Sequence, residues 1–581
     1  MAKHDYQELE YWQEYINGTD FKSQIGLYDE VNKNFRFYSG EQWSGVVSNG
    51  LPTPVLNLIK RITDHKVNIV MGDDIKINYS IDGIDDTDYA PDKEELRQLA
   101  RALSAYAMTL EENLNASTKD EQALLDSALS GDGMEFMRWD PSIDAGNGIY
   151  GGIDSEIVDN VNYLPGNPNS DDVQTQPSII IAFRKMVSEL QAEAKQNGIP
   201  QDEIDKIASD EETDKQAGDN AKIELTKSGK AICLLKMWKK DGKVYFNKST
   251  RYARITKGDI DSGLTLYPVA KMTWSRRKNC CHGTSEVKGL IPNQIAINKL
   301  VAMIIMSVMH TAFPKAVYDN TRIASWSNLI GAAIGVTGGD IKQAAGYIQP
   351  GQLSNDIYKI VDLLIQLTKE MTGSTDAAMG ELNMDNTSAL IVLQKAAAIP
   401  LKSISRRFYR FKEDKARIYM DFFIHKYRGV EGEPVARTLT YKEQGVNRTF
   451  DFDGSKYGDL QWRVKVDVGA STHWSEVTAI QTMTNFLQAK EMTFVEVLER
   501  LPNGIIPMRE KLMQDRLSQD MDREIMISFL ADYVEGLPPE IRAKLQAMKP
   551  DEMEAEVKQM VAQDMQQKRQ QPQANQAAAA M

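Results

Sequence analysis

The sequence predicts an α+β protein, mainly helical, built from more than one domain. Three observations carry this. The chain has 581 residues, of which 42% are apolar and 26% charged, the composition of an ordinary folded protein and too long for one small module. Several long stretches repeat apolar residues at helical spacing. Between about 134 and 275, short apolar runs bounded by turn residues read instead as strands.

Residues 55–71, VLNLIKRITDHKVNIVM, place Val55, Ile59, Ile62 and Ile69 at helical spacing, with Gly72 positioned to stop the helix. A strand, IKINYSI, follows. Residues 93–130 read as helical with a break at Asn115 to Ser117, and GMEFMRWDP as a strand closed by its proline. Further strands are expected in SEIVDNVNYL, SIIIAFRKMV and AICLLKMWKKDGKVYFN, the last folded at Asp241-Gly242, a type I′ hairpin signal. The mixed charges of 188–222 predict a helical insertion with a solvated face.

From 286 the segment EVKGLIPNQIAINKLVAMIIMSVMHTAF is apolar on nearly every side, which an isolated surface helix does not sustain in water. Its longest apolar run, 300–313, falls short of the roughly 20 residues that cross a bilayer, so burial against protein is expected. A Gly- and Asn-rich section, 313–352, precedes a second amphipathic helix, LSNDIYKIVDLLIQLTKEM. Next comes a loop: from Glu370 to Gln394 there is no Lys or Arg, while Glu370, Asp376, Glu381 and Asp385 are acidic. Asn386, Thr387 and Ser388 are N-cap candidates for a helix from 388 to about 427, interrupted by Pro400. Proline removes a donor and clashes with the carbonyl four residues back, costing about 3 kcal/mol. Either the helix kinks there or it ends at Ile399 and a second begins; the lack of flanking loop residues favours the kink. Strands in TFDFDG and LQWRVKVDVG, helices from 474 to about 564, and a low-complexity tail are expected in the rest of the chain.

Charge and motifs exclude much. With 82 acidic against 68 basic residues, net −14, the surface as a whole repels phosphate. Three cysteines are too few for a disulfide framework and fit a reducing compartment, and MAKHDYQELEYWQEY lacks the apolar core of an export signal. Gly146, Gly148 and Gly151 satisfy G-x-G-x-x-G, but a strand rather than a helix follows, so a hairpin turn is the better reading. No phosphate-binding G-x-x-x-x-G-K-[ST], G-x-S-x-G or H-E-x-x-H occurs. Adjacent Cys280, Cys281 and His282 cannot easily surround one ion, and no role is assigned to them. His65 and His310 lie in helices as packing or solvent-facing residues. Asp73, Asp74, Asp85, Asp86 and Asp88 could hold a nuclease's divalent metal, but acids in a solvated turn are the simpler reading. The densest basic patch, 402–417, interleaves Lys402, Arg406, Arg407, Arg410, Lys412, Lys415 and Arg417 with aromatics. Ile404, Phe408, Phe411, Ile418 and Phe422 fall on one packing face, so those rings are core rather than base-stacking platforms. The arginines suit acidic neighbours on another subunit or DNA, and both readings stay open.

In the order of these elements, from 30 to 530, the chain resembles the portal proteins of tailed double-stranded DNA bacteriophages. The resemblance rests on NFRFYSGEQW with LPTPVLNLIKRITDHKV, SGDGMEFMRWDP with DNVNYLPGNP, HGTSEVKGLIPNQIAINK, and above all LTKEMTGSTDAAMGELNMDNTSALIVLQKAAAIPLKSISRRFYRF. It implies a wing over 1–285 and 428–473, stem helices at 286–312 and 353–372, a clip at 313–352, a tunnel loop at 373–388, a kinked helix at 389–427, a crown at 474–564 and a disordered tail at 565–581. It further implies a non-enzymatic ring of twelve copies at one capsid vertex of the virion, assembled in the host cytoplasm, without cofactor, metal or membrane. Double-stranded DNA passes through its channel, and its partners are the terminase large subunit, the major capsid or scaffolding protein and head-tail adaptors. On that reading Asp376, Glu381, Asn383, Asp385 and Asn386 face DNA, Pro400 bends the carrying helix, and Arg406, Arg407 and Arg410 make inter-subunit or DNA contacts. A loop without basic residues lets phosphates slide past. Another virion structural or adaptor protein, or a carboxylate-metal nuclease, is the alternative.

Overall fold

The computed structural model describes residues 7–72, 75–81, 91–144, 150–209, 229–313, 315–327, 334–348, 356–374, 399–428, 437–443, 446–458 and 460–468, with Leu487, Val497 and Leu512. Of these residues 47% are helical and 25% lie in strands, an α+β protein with helix predominating. The chain divides into two compact units, Met1–Tyr441 with Thr449–Trp474, and Lys442–Arg448 with Ser475–Met581. In the second, Leu487, Val497 and Leu512 are helical.

Two helices not among the expected elements open the first unit, α1 (Glu10–Gln24) and α2 (Leu27–Ser39), followed by α3 (Leu58–Met71) and β1 (Ile75–Ile81). Asn57 caps α3 by accepting the Lys60 N–H, so Val55 lies before the helix, not on its face. Next come α4 (Pro91–Asn113) and α5 (Ala116–Ser130), parted at left-handed Asn115 inside the expected break. Then β2 (Asp132–Asp144) and β3 (Tyr150–Val158) pair antiparallel, Asp144 opposite Tyr150, so a strand follows the glycines as expected; Gly151 lies in β3, and Gly146 and Gly148 lie outside the described residues. β2 runs through Pro141 instead of ending there. The run SEIVDNVNYL is not one strand, because a 3-10 turn at Asn160–Asn162 separates β3 from β4 (Tyr163–Pro165).

β5 (Ser178–Met186), α6 (Val187–Gln196), α7 (Gln201–Ile204), β6 (Lys230–Lys240), β7 (Lys243–Ser249), β8 (Ile260–Asp261) and β9 (Val269–Thr273) follow. Lys240 pairs with Lys243 around Asp241 and Gly242, both at positive φ, as the type I′ signal requires. The strands form an antiparallel sheet in the order β4-β5-β6-β7-β8 and a second in the order β3-β2-β9. The long helix α8 (Glu286–Ala312), β10 (Lys315–Tyr318), β11 (Ala345–Ile348), α9 (Asp356–Thr372) and α10 (Lys402–Lys426) precede β12 (Arg437–Glu443), β13 (Val446–Phe452) and β14 (Trp462–Val468). β14 pairs antiparallel with β1, Tyr79 opposite Val464, so the chain returns to its start.

The largest core gathers α3, α4, α5, both main sheets and α10. Ile404, Phe408, Phe411, Ile418 and Phe422 are all buried in α10, the packing face that helical spacing predicts. The α-helix begins at Lys402, with Pro400 in a 3-10 turn (Ile399–Leu401) just before it. The segment 389–398 lies outside the described residues, and with it the choice between kink and break.

Candidate assembly surface

The root of α8 is built into the first unit. Ser285 caps it, accepting the Lys288 N–H at 3.2 Å, and receives the Asn34 Nδ2 donor at 2.8 Å. Glu286 meets Lys66 Nζ at 2.6 Å and Trp274 Nε1 at 2.9 Å. Gln294 accepts the Leu58 N–H at 3.0 Å and donates to the Leu56 carbonyl at 2.6 Å and to Asn298 Oδ1 at 3.0 Å. Asn298 Nδ2 in turn donates to Gln42 Oε1 at 2.7 Å. Each buried amide is thereby satisfied, as buried polar groups require.

Past Ala302 this changes, and no residue from Met303 to the end of α8 is buried. Within its own chain the helix finds little of the expected burial: by length and composition it could cross a membrane, and only 17% of its apolar window is buried by the single chain. α9 packs on α8, with Asn293 Nδ2 donating to Thr368 Oγ1 at 3.1 Å, but covers little of it. Met303, Val308, Met309 and Phe313 of this arm, and Tyr358, Ile360, Leu363, Leu367 and Met371 of α9, all stand exposed. Between the two helices, β10 and β11 pair as a two-stranded sheet that no third strand joins among the described residues, with Val317, Tyr318, Tyr347 and Ile348 exposed and Trp326 stacked on Tyr318. An isolated hairpin of this kind is marginal in water. Single exposed apolar residues are ordinary; a continuous group marks an interaction surface.

α10 is the fixed part. Lys415, fully buried, lies 2.6 Å from Asp120 and 2.7 Å from Glu135, and Lys412 lies 2.8 Å from Asp120 and 2.5 Å from Glu111. Burial works against the Lys415 ammonium, but Tyr419, Asp120, Glu135 and Glu111 outweigh it and hold its pKa well above the usual lysine range. Burial likewise works against the Asp120 carboxylate, and the two lysines reverse it, leaving its pKa lowered. Two lysines of the basic patch are thus interior ion pairs that clamp α10 to α4, α5 and β2, a role that residue type alone did not disclose.

The remaining arginines differ in exposure, Arg407 being half-buried. Arg406 is exposed, Arg407 donates to the Trp274 carbonyl, and Arg410 lies 4.0 Å from Asp414. Arg407 and Arg410 line one cleft with Arg276 and Arg417, but also with Asp171, Asp172 and Asp414. Asp376, Glu381, Asn383, Asp385 and Asn386 lie outside the described residues, as do Asp73, Asp74, Asp85, Asp86 and Asp88. Among the described residues no group of three His, Cys, Asp or Glu is arranged to hold a metal ion.

The Cys280–His282 triplet has a structural place that the sequence did not suggest. His282 Nδ1 lies 3.1 Å from Asp132 Oδ2, which also accepts the Gly283 N–H at 3.0 Å, while Thr273 Oγ1 donates to Asp132 Oδ1 at 2.9 Å. Lys271 lies 3.4 Å from Asp132 and donates to the Cys281 carbonyl. Burial pushes His282 down to about 4; it also opposes the Asp132 charge, but Lys271 and His282 hold that carboxyl at about 2. The knot fastens the segment leading into α8 to the β2–β9 pair. Gly131, at φ +98°, lets it close, since a Cβ there would stand 2.6 Å from the Gly283 carbonyl oxygen. Comparison with known protein families and with curated proteins finds no match for this chain.

Proposed function

We propose that this chain is a portal subunit: copies close head to tail into a ring around a channel for double-stranded DNA at one capsid vertex. The observation that carries the reading is the exposed apolar arm of α8 and α9 on an anchored root. A heterologous interface repeated around a circle covers such surfaces on every copy. On this reading α8 and α9 are the stem, the β10–β11 hairpin belongs to the clip, α10 continues from the tunnel loop into the wing, and 474–564 is the crown. The ring binds no cofactor and performs no chemistry itself. Terminase docks on it during packaging and head-tail adaptors afterwards, with the acidic loop at 373–388 lining the passage.

The apolar window of α8 also favours a second reading, a membrane span. The arm beyond Ala302 is only ten residues of helix, about 15 Å long, half of a hydrocarbon core of about 30 Å. α9 moreover exposes Lys359 and Asp362 among its apolar residues. Native mass measurement and negative-stain imaging of the purified full chain test the proposal. Rings of about twelve chains with a central hole are expected without detergent; a stable monomer, or a chain recovered only with lipid, overturns it.

A further inference from the structure

One cavity, of about 400 Å³, belongs to none of these surfaces. It opens between one face of the five-stranded sheet, with Phe183, Leu235 and Phe246, and the facing β2, with Phe136 and Trp139; Phe422 of α10 also lines it. Strand register sets this composition. Phe183 pairs with Cys233, and Leu235 with both Ile181 and Lys248, so alternate residues of β5, β6 and β7 present one apolar face to the space.

Its cations are unequally matched. Arg138 is bound to Asp154 at 2.6 Å and Lys248 to Glu193 at 2.5 Å. Lys185 and Lys426, both half-buried, make no hydrogen bond or ion pair among the described residues. The carboxylate that faces Lys426, Asp261, is already engaged, by Lys243 at 3.2 Å and by the Gly263 N–H at 2.7 Å. Burial pulls the Lys426 pKa down despite the attraction of Asp261. An ammonium that loses water without gaining a partner costs free energy that an incoming anion would offset.

We propose that this cavity binds a medium-chain aliphatic carboxylate, its chain between the two sheets and its headgroup on Lys426, with Lys185 as the second cation. Volume and chemistry agree with a small-ligand site: mainly apolar walls, a charged rim in which the cations Arg138, Lys185, Lys248 and Lys426 outnumber the carboxylates Glu156 and Asp261, and a size within the usual 300–1,000 Å³. The inference does not depend on ring assembly.

Titration of the full chain with dodecanoate below its micelle concentration, followed calorimetrically, tests it. One saturable site per chain is expected, with affinity rising about fourfold for each added CH₂ from hexanoate to dodecanoate. Dodecanol, without the charge, should bind at least tenfold more weakly. Lys426→Met should lose at least tenfold, whereas Lys426→Arg should retain binding. Absence of saturable binding, equal affinity for dodecanol, or an undiminished Lys426→Met variant with wild-type circular dichroism overturns the assignment. The chain-length series uses the unaltered protein, so a poorly folded variant does not leave the question open.

Discussion

Placing an aspartate on each of the two exposed helices, Val308→Asp with Leu363→Asp, should abolish ring assembly while leaving each chain folded. Val308 is 53% and Leu363 52% exposed in the single chain, so about half of each side chain is left for a neighbour to bury. Full burial of such a side chain is worth roughly 1.5–3 kcal/mol, hence about 1 kcal/mol for each remaining half. Nine large apolar side chains on the two helices then supply on the order of 9 kcal/mol per interface, before the cost of association. The double variant removes about 2 kcal/mol and forces two unpaired carboxylates out of water, at a few kcal/mol each. What is left should not hold a ring at micromolar concentration. Sedimentation velocity should show the wild type as one large species and the variant as monomer with an unchanged denaturation midpoint. Intact rings from the variant would refute the placement of the interface; lowered stability of its monomer would show that these side chains pack within the chain.

Three further outcomes follow from the interior. Lys415→Ala leaves Asp120 and Glu135 without their buried counter-charge and should cost about 3–5 kcal/mol in urea denaturation, whereas a surface change such as Arg406→Ala should cost under 1 kcal/mol. His282, at about 4 in the fold against about 6.5 when unfolded, takes up its proton more readily unfolded; its contribution is therefore full above pH 6.5 and lost as pH falls to 4, by about 3 kcal/mol. His282→Asn should flatten the stability profile across that window, and an unchanged slope would contradict the assignment. Asp126 runs the other way. Burial first, then the Asp159 charge, raise it to about 7, so its contribution is full below the unfolded value near pH 4 and is lost as pH rises through 7. Asp126→Asn should raise the thermal midpoint at pH 8 and have little effect at pH 4, read by calorimetry.

Elements whose signal lies in neighbouring residues were legible. The type I′ turn at Asp241-Gly242, the break at Asn115, the stop at Gly72 and the buried face of α10 all follow from local backbone preference or the helical period. Where tertiary context decided, reading by pattern went astray. Pro141 does not end β2; α1 and α2 were not expected, although Leu27, Val31, Asn34 and Phe37 of α2 recur at helical spacing and form its buried face. In α8 the composition demanded burial along its whole length, but only the root finds it within the chain.

The sequence by itself determined the type of elements such as α3, the Asp241-Gly242 hairpin and α10, the acidic balance, the absence of familiar catalytic spacings and the apolar face of α10, because these depend on backbone preference and on side-chain chemistry a few residues apart. Only the tertiary structure decided which charges are interior and which apolar residues stay uncovered. Lys412 and Lys415 read like Arg406 and Arg410 until α4, α5 and β2 bring Glu111, Asp120 and Glu135 against them from about 300 residues away. Pairing and burial are properties of distance in space, and no local pattern encodes which distant segment will arrive.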